Sequence, residues 1–494
     1  MRILVAGLDC AAPEILLRED LPNLRRLMAG GIYGTLESVI PPITVPAWMC
    51  MATSQDPGSL GVYGFRNRVD HSYEGFRTAD ATWFRAPTLW DQVAVEGGRS
   101  ILIGVPPSYP PRRMNGIRVG CFLTPDPARN VYTAPPEVGD TITALVGDYP
   151  VDVKGFRTED KTRLHADILE MTRKHFEVVR HFLAHESWDY LQFVEIGLDR
   201  IHHGFWKHHD PSHPLHDPLS PWRDVVLEYY RLLDHELGTV LQLLDEETMV
   251  LVLSDHGARA LEGGFCVNQW LMQQGFLGLH SPPESVTPFE EVAVDWSRTR
   301  AWSSGGYYAR VFLNVRGREP EGTVDPEEYE TVRDELAARL EAITDPRGRP
   351  LGTRVFRPQE IYADVKGVAP DLIVHLGNLA WRAIGSLGHP QLHVQENDTG
   401  PDDCNHAQLG AFILAGPGVP EGGEVGGAHL LDMAPTLLAG AGYQLPLTMQ
   451  GRDILRALEP GPDGGTGPDP GAPSTRKDDE ALIRERLKGL GYIA

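Results

Sequence analysis

Six short apolar runs, each closed by an acid, a glycine or a tight turn, constrain this 494-residue chain more than any other feature. They are RILVAGLD (2–9), RSILIGVPPS (99–108), DYLQFVEIGLD (189–199), TMVLVLSDHG (248–257), DLIVHLG (371–377) and LGAFILAGPGV (409–419). Their apolarity is continuous rather than alternating, which is the pattern of strands covered on both faces, as in a parallel sheet with flanking helices. Helical stretches at 22–30, 88–97, 160–186, 223–245 and 431–441 lie between them and complete a β/α alternation. The implied fold is α/β, a doubly wound, mostly parallel sheet in three α/β/α layers. In such sheets the site forms at the carboxyl ends of the strands.

Residues 300–362 read as a small α/β insertion: strand-like YYARVFLNV, a helix in PEEYETVRDELAARLEAI and strand-like GTRVFRPQEIY. The main domain is expected to run over 1–458 around it. Residues 459–479 are rich in Gly, Pro and Asp and read as a disordered linker. Residues 480–494 carry Leu482, Ile483, Leu487 and Leu490 on one helical stripe, a segment expected to dock on its own core or to support a homo-oligomer.

Lys and Arg total 45 against 68 Asp and Glu, a formal charge of −23. That balance disfavours a nucleic-acid polymer or an anionic membrane surface as partner, so a phosphate-bearing small molecule must be attracted locally. The five cysteines are scattered and have no CxxC spacing, which argues for a reducing compartment. No segment has the length of a signal peptide's apolar core or of a membrane span, and the expected location is the cytoplasm.

Acids and histidines fall at the ends of the predicted strands. Asp9 follows the first strand, and Asp255 and His256 follow MVLVLS. Asp199 follows the 189–199 run with His203 four residues later, on the same face of a helical turn, and His406 sits just ahead of the last strand. Three carboxylates and three imidazoles gathered at one sheet edge would repel one another if left empty, and divalent cations remove that repulsion. Mixed Asp/His ligation suits zinc, with manganese or iron possible, and six such groups plus a hydroxyl are enough for two ions around one reacting centre.

The hydroxyl is Thr44, in PPITVPAW (41–48). Prolines 41, 42 and 46 stiffen the approach, and Pro46 suits the first turn of a helix. Thr44 is thereby expected at a helix mouth, where free N–H groups and the helix dipole favour an anion. The plain alternative is a threonine N-cap. His202 reads as a residue behind or beside the site, the group His208, His209, His213 and His216 as a solvated loop, and His429 and Asp432 as structural.

The set GLD, PPITVPAW, DRIHHGFW, SDHG, NH…GAFILAGPG and LLDMAPTLLAGAGYQLPLTMQGRDIL resembles, in order from Asp9 to about Leu455, the alkaline phosphatase superfamily. Within it the likeness is to the type I phosphodiesterase/nucleotide pyrophosphatase branch and its phosphohydrolase/phosphomutase relatives. The resemblance implies an alkaline phosphatase-type fold and two zinc ions. Asp199, His203 and His406 would hold one; Asp9, Thr44, Asp255 and His256 would hold the other. It implies Thr44 as nucleophile, forming a phosphothreonine intermediate, and an asparagine near the phosphate oxygens, for which Asn67 is the candidate. The serine or cysteine nucleophile motif of sulfatases is absent, and Cys50 is followed by MATS. A phosphomonoesterase, a phosphomutase and a non-catalytic metal-binding scaffold are the competing readings.

Overall fold

The strand Arg2–Leu8 shows why the chain forms three layers: Leu4, Ala6 and Leu8 point into one core, while Ile3 and Val5 point into another. The computed structural model describes residues 1–17, 20–395 and 399–458. Met1–Leu455 form one compact unit containing both the central sheet and the insertion. Two neighbouring strands divide their residues in the same way. Leu191 and Phe193 oppose Tyr190 and Val194, and Val250 and Val252 oppose Met249, Leu251 and Leu253. Helices Pro22–Ala29, Lys161–His185, Gly197–His209 and Val225–Leu241 cover the first face. Helices Thr44–Thr53, Leu89–Val95 and Met433–Gly440 cover the second.

Across the sheet the order is Gly423–Glu424, Gly31–Glu37, Leu409–Ala415, Thr248–Leu253, Arg2–Leu8, Tyr190–Glu195, Ser100–Ile103, Gly116–Val119 and Thr133–Ala134. Thr248–Leu253 through Gly116–Val119 are parallel, whereas Leu409–Ala415 is antiparallel to both of its neighbours. That reversal matters for the site. His406 precedes Leu409–Ala415, and because this strand runs backwards, its start lies at the edge where the parallel strands end.

The run at 371–377 does not join the central sheet. Its strand, Leu372–His375, pairs with Ala309–Leu313 and Arg354–Phe356 in a four-stranded antiparallel sheet completed by Ala301–Ser304. The physical reason is that this small sheet is also covered on both faces. Leu372 and Val374 enter a core with Phe312, Leu336 and Trp302, and Ile373 packs with Ile43, Tyr63 and Tyr308. Continuous apolarity reports burial on two sides, whichever sheet supplies it. Structure outside the central sheet also extends beyond 300–362: Gly263–Cys266 pairs with Trp381–Ile384 and with His393–Val394 in a further small sheet. The segments expected at 459–479 and 480–494, and the oligomer contact assigned to the latter, lie outside the described residues.

Gly7 is required by a close approach. A Cβ there would lie 2.5 Å from the Trp48 ring and 2.9 Å from Val194. Gly7→Ala should therefore displace Trp48 and cost about 1–3 kcal/mol, the usual penalty of overpacking a filled core. Thermal unfolding of the purified variant measures it.

Candidate active site

The Arg2–Leu8 and Thr248–Leu253 strands end side by side, delivering Asp9 to one side of a shared hollow and Asp255 with His256 to the other. The Tyr190–Glu195 strand hands on to the helix Gly197–His209, whose first turns present Asp199 and His203. The reversed strand brings His406. The helix Thr44–Thr53 brings Thr44, its first residue, preceded by an extended Ile43 that makes no side-chain cap. All seven side chains are buried.

They meet in two groups. His203 Nε2 lies 3.3 Å and His406 Nε2 3.7 Å from Asp199 Oδ1. His256 Nε2 lies 3.2 Å from Asp255 Oδ2, 3.8 Å from Asp9 Oδ1 and 3.4 Å from Thr44 Oγ1. The His256 and His406 rings stack at 3.8 Å and join the two groups. Ligands around a tetrahedral zinc are about 3.3–3.4 Å apart, given metal–ligand bonds of about 2.0–2.1 Å, so both groups have the spacing an ion requires. Thr44 does not serve as an N-cap; its hydroxyl faces the second group.

Hydrogen bonding behind the site leaves one free ligand atom on each residue. Each imidazole has its Nδ1 next to an oxygen: His203 to Asp402 Oδ1 at 2.5 Å, His406 to the Pro42 carbonyl at 2.9 Å, and His256 to the Gly257 carbonyl at 3.3 Å. This fixes the tautomer that offers Nε2 forward. Trp48 Nε1 donates to Asp9 Oδ2 at 2.8 Å, and the Cys10 amide donates to Asp255 Oδ1 at 3.2 Å. Arg200 donates to Asp199 Oδ2 and grips Asp152 through two 2.8 Å bonds. Asp9 Oδ1, Asp199 Oδ1, His203 Nε2 and Asp255 Oδ2 are then buried and make no hydrogen bond among the described residues. Buried polar atoms are rarely left unpaired, and these four face one another, so the donor set fits two divalent cations.

The electrostatics agree. Burial, then the charge of Asp199, pushes Asp9 up to about 8, and burial, then Asp9, holds Asp255 well above the ordinary range. Asp199 is held well below the usual carboxylate value: burial opposes ionisation, but His203 and Arg200 outweigh it. Burial lowers His256 to about 4, and burial together with His256 drives His406 lower than an ordinary imidazole, so both are neutral and able to ligate. The cluster opens onto a cleft of about 1250 Å³ between the sheet edge and the insertion, walled by Phe65, Phe156, Trp302, Arg157, Arg200 and Arg382.

A family model described as type I phosphodiesterase / nucleotide pyrophosphatase matches residues 3–402. The chain belongs to this family. It is thus a hydrolase of phosphoric ester bonds. The chain shares its fold with human ectonucleotide pyrophosphatase/phosphodiesterase 5, at 13% identity over 92% of this chain and 99% of that one, with a TM-score of 0.54. It also resembles phosphonoacetate hydrolase from Sinorhizobium meliloti 1021 in complex with phosphonoformate, at 16% identity over 90% and 96%, TM-score 0.57. A third neighbour is an inactive threonine-to-alanine form of murine ectonucleotide pyrophosphatase/phosphodiesterase 5 in complex with AMP, at 14% over 90% and 96%, TM-score 0.50. No curated protein matches the chain in sequence.

Asn67 does not line the cleft. Its Oδ1 accepts from the Tyr63 amide at 2.7 Å and its Nδ2 donates to the Gly64 carbonyl at 2.8 Å, so its amide closes the 63–67 turn. His202 is buried against Trp206 and Tyr230, 4.9 and 5.7 Å between ring centres. The histidine-rich stretch is not one solvated loop: His208 and His209 end the Gly197–His209 helix, His208 meets Ser220 Oγ, His213 is buried and His216 meets the Lys207 carbonyl, and no ligand group among the described residues includes them. His429 and Asp432 close a turn before the Met433–Gly440 helix. The five cysteines form no disulfide. Among the described residues no helix is long and apolar enough to cross a membrane.

Three residues behind the ligands carry no sequence-level signal that singles them out. Trp48 lies one helical turn after Thr44; Arg200 is the neighbour of Asp199; Asp402 precedes His406 by four positions. Asp402 has a fully buried side chain and is lowered to about 2: burial opposes its ionisation, but His203, Arg157 and Arg382 overcome it. Outer partners of metal-binding histidines typically account for about 10–100-fold in metal affinity, and Asp402→Asn should lose that much when titrated with zinc.

Proposed function

We propose that the chain is a two-metal phosphodiesterase of the nucleotide pyrophosphatase type in which Thr44 is the nucleophile. Zinc ions, or manganese, held by Asp199, His203 and His406 and by Asp9, Thr44, Asp255 and His256, supply the Lewis acidity that lowers the hydroxyl's pKa and offsets charge in the transition state. Thr44 Oγ1 loses its proton to solvent and forms a bond to phosphorus. The opposite ester bond breaks, and its alcohol leaves and takes up a proton. Water then hydrolyses the phosphothreonine and restores the hydroxyl. Ile43 and the helix N-terminus orient Thr44, and the aromatic cleft walls exclude water from the attacking oxygen.

The observation that carries this reading is the convergence of four buried ligand atoms that make no hydrogen bond among the described residues on the hollow beside Thr44 Oγ1. The inactive threonine-to-alanine neighbour that binds AMP is consistent with it, and a small-molecule phosphoester is the expected substrate. The test compares bis(p-nitrophenyl) phosphate with p-nitrophenyl phosphate on zinc- and manganese-loaded protein. Faster cleavage of the diester supports the reading, and faster cleavage of the monoester overturns its diester part.

A further inference from the structure

Asp402 holds more cation than it can neutralise. Its Oδ1 is taken by His203, while Oδ2 alone accepts from both Arg157 Nε at 3.1 Å and Arg382 Nη1 at 3.0 Å. One guanidinium balances one carboxylate; the second leaves a local positive charge in a chain whose formal charge is −23. Both arginines line the cleft on the half formed by Asp199, His203 and His406. Beside Thr44 the cleft is lined by Ile43, while Trp48 is buried behind Asp9.

The pair is also held in place before any ligand arrives. Tyr307, on the insertion, stacks on His406 at 4.3 Å and accepts from Arg157 Nη2 through its hydroxyl at 2.5 Å. Arg382 lies over the same ring at 4.8 Å, and Arg157 lies over Phe156 at 4.4 Å. The Arg382 side chain is 7% exposed, yet its Nε has no partner among the described residues. Fixed guanidinium forks lose little freedom on binding and match the geometry of carboxylate and phosphate oxygens.

We propose that Arg157 and Arg382, with Tyr307 between them, form an oxyanion subsite that selects phosphoesters carrying a second anionic group, a carboxylate or a phosphate, on one ester substituent. This deepens the phosphodiesterase reading and rests on it. The alternative is that both arginines serve only to hold Asp402 for His203.

The test uses full-length, metal-loaded protein and two diesters: bis(p-nitrophenyl) phosphate and p-nitrophenyl p-carboxyphenyl phosphate, with products separated chromatographically. A third diester carrying a phosphonate in place of the carboxylate shows which oxyanion is preferred. Wild type should favour an anionic diester in kcat/KM, and Arg382→Gln should cut that preference about tenfold, the size of one charge-assisted hydrogen bond. Arg382→Lys should restore part of it, whereas Asp402→Asn, which loosens His203 as well as the arginines, should slow all the diesters. Calorimetry with phenyl phosphate and p-carboxyphenyl phosphate reads the same preference without turnover. Equal affinity for those two ligands, or equal losses on charged and uncharged diesters in Arg382→Gln, overturns the subsite. Hydrolysis of none of the diesters, with p-carboxyphenyl phosphate still bound more tightly, overturns the phosphodiesterase reading instead.

Discussion

Thr44→Ala should lower kcat on bis(p-nitrophenyl) phosphate by at least ~10³-fold, the scale on which loss of a covalent nucleophile is felt. The variant should still fold, because Thr44 contributes one hydroxyl to a helix whose packing rests on Trp48, Cys50 and Met51. It should also still take up metal, since Asp9, Asp255 and His256 keep their positions without it. Retained circular dichroism and zinc content combined with lost turnover would separate a chemical role from a structural one. Acid-quenched wild type should carry one phosphoryl group on the peptide containing Thr44, and the variant none. Near-normal turnover by Thr44→Ala would remove the proposed nucleophile.

Stripping the metal should have an effect of similar size on activity and a second, pH-dependent effect on stability. Several kcal/mol of transition-state stabilisation depend on the ions, so chelation should abolish measurable turnover and zinc or manganese should restore it. In the metal-free protein Asp9 is raised from 3.8 to about 8, chiefly by burial and then by Asp199. The folded chain therefore holds a proton that the unfolded chain has released. The contribution of Asp9 is greatest below the unfolded value and is lost as pH rises through about 8, whereas His256 and His406, held neutral in the fold, add stability up to the ordinary imidazole range, so the decline shows above about pH 7. A cation takes the proton's place, so apparent metal affinity should rise by about tenfold per pH unit for each proton displaced. Each filled site should stabilise the fold by about 4 kcal/mol at a thousandfold excess over Kd. Thermal unfolding with and without zinc from pH 5 to pH 8 measures both slopes. A metal-free protein that grows more stable between about pH 7 and pH 8 would contradict the assignment of Asp9.

Much of this site was legible in the chain, because strand ends are where an α/β sheet concentrates chemistry. Asp9, Asp199 and Asp255 could be placed at such ends from apolar runs alone. His406 was harder, since it precedes its strand, and only the antiparallel direction of Leu409–Ala415 explains why it arrives at the same edge. Asn67 carries no local mark of its role, because an asparagine that closes a turn and one that contacts a phosphate look alike in a GFRNR sequence. The 371–377 run was assigned to the wrong sheet because burial on both faces leaves one signature in either setting. Asp402, Arg157 and Arg382 escaped notice for a different reason. Their significance lies in contacts between residues as far apart as 157, 203 and 402, which no local pattern encodes.

The most direct test is anomalous diffraction at the zinc edge from crystals of the metal-loaded protein. Two peaks are expected, one bonded to Asp199, His203 and His406 and the other to Asp9, Thr44, Asp255 and His256. A single peak elsewhere, or none within reach of these seven side chains, would contradict the account.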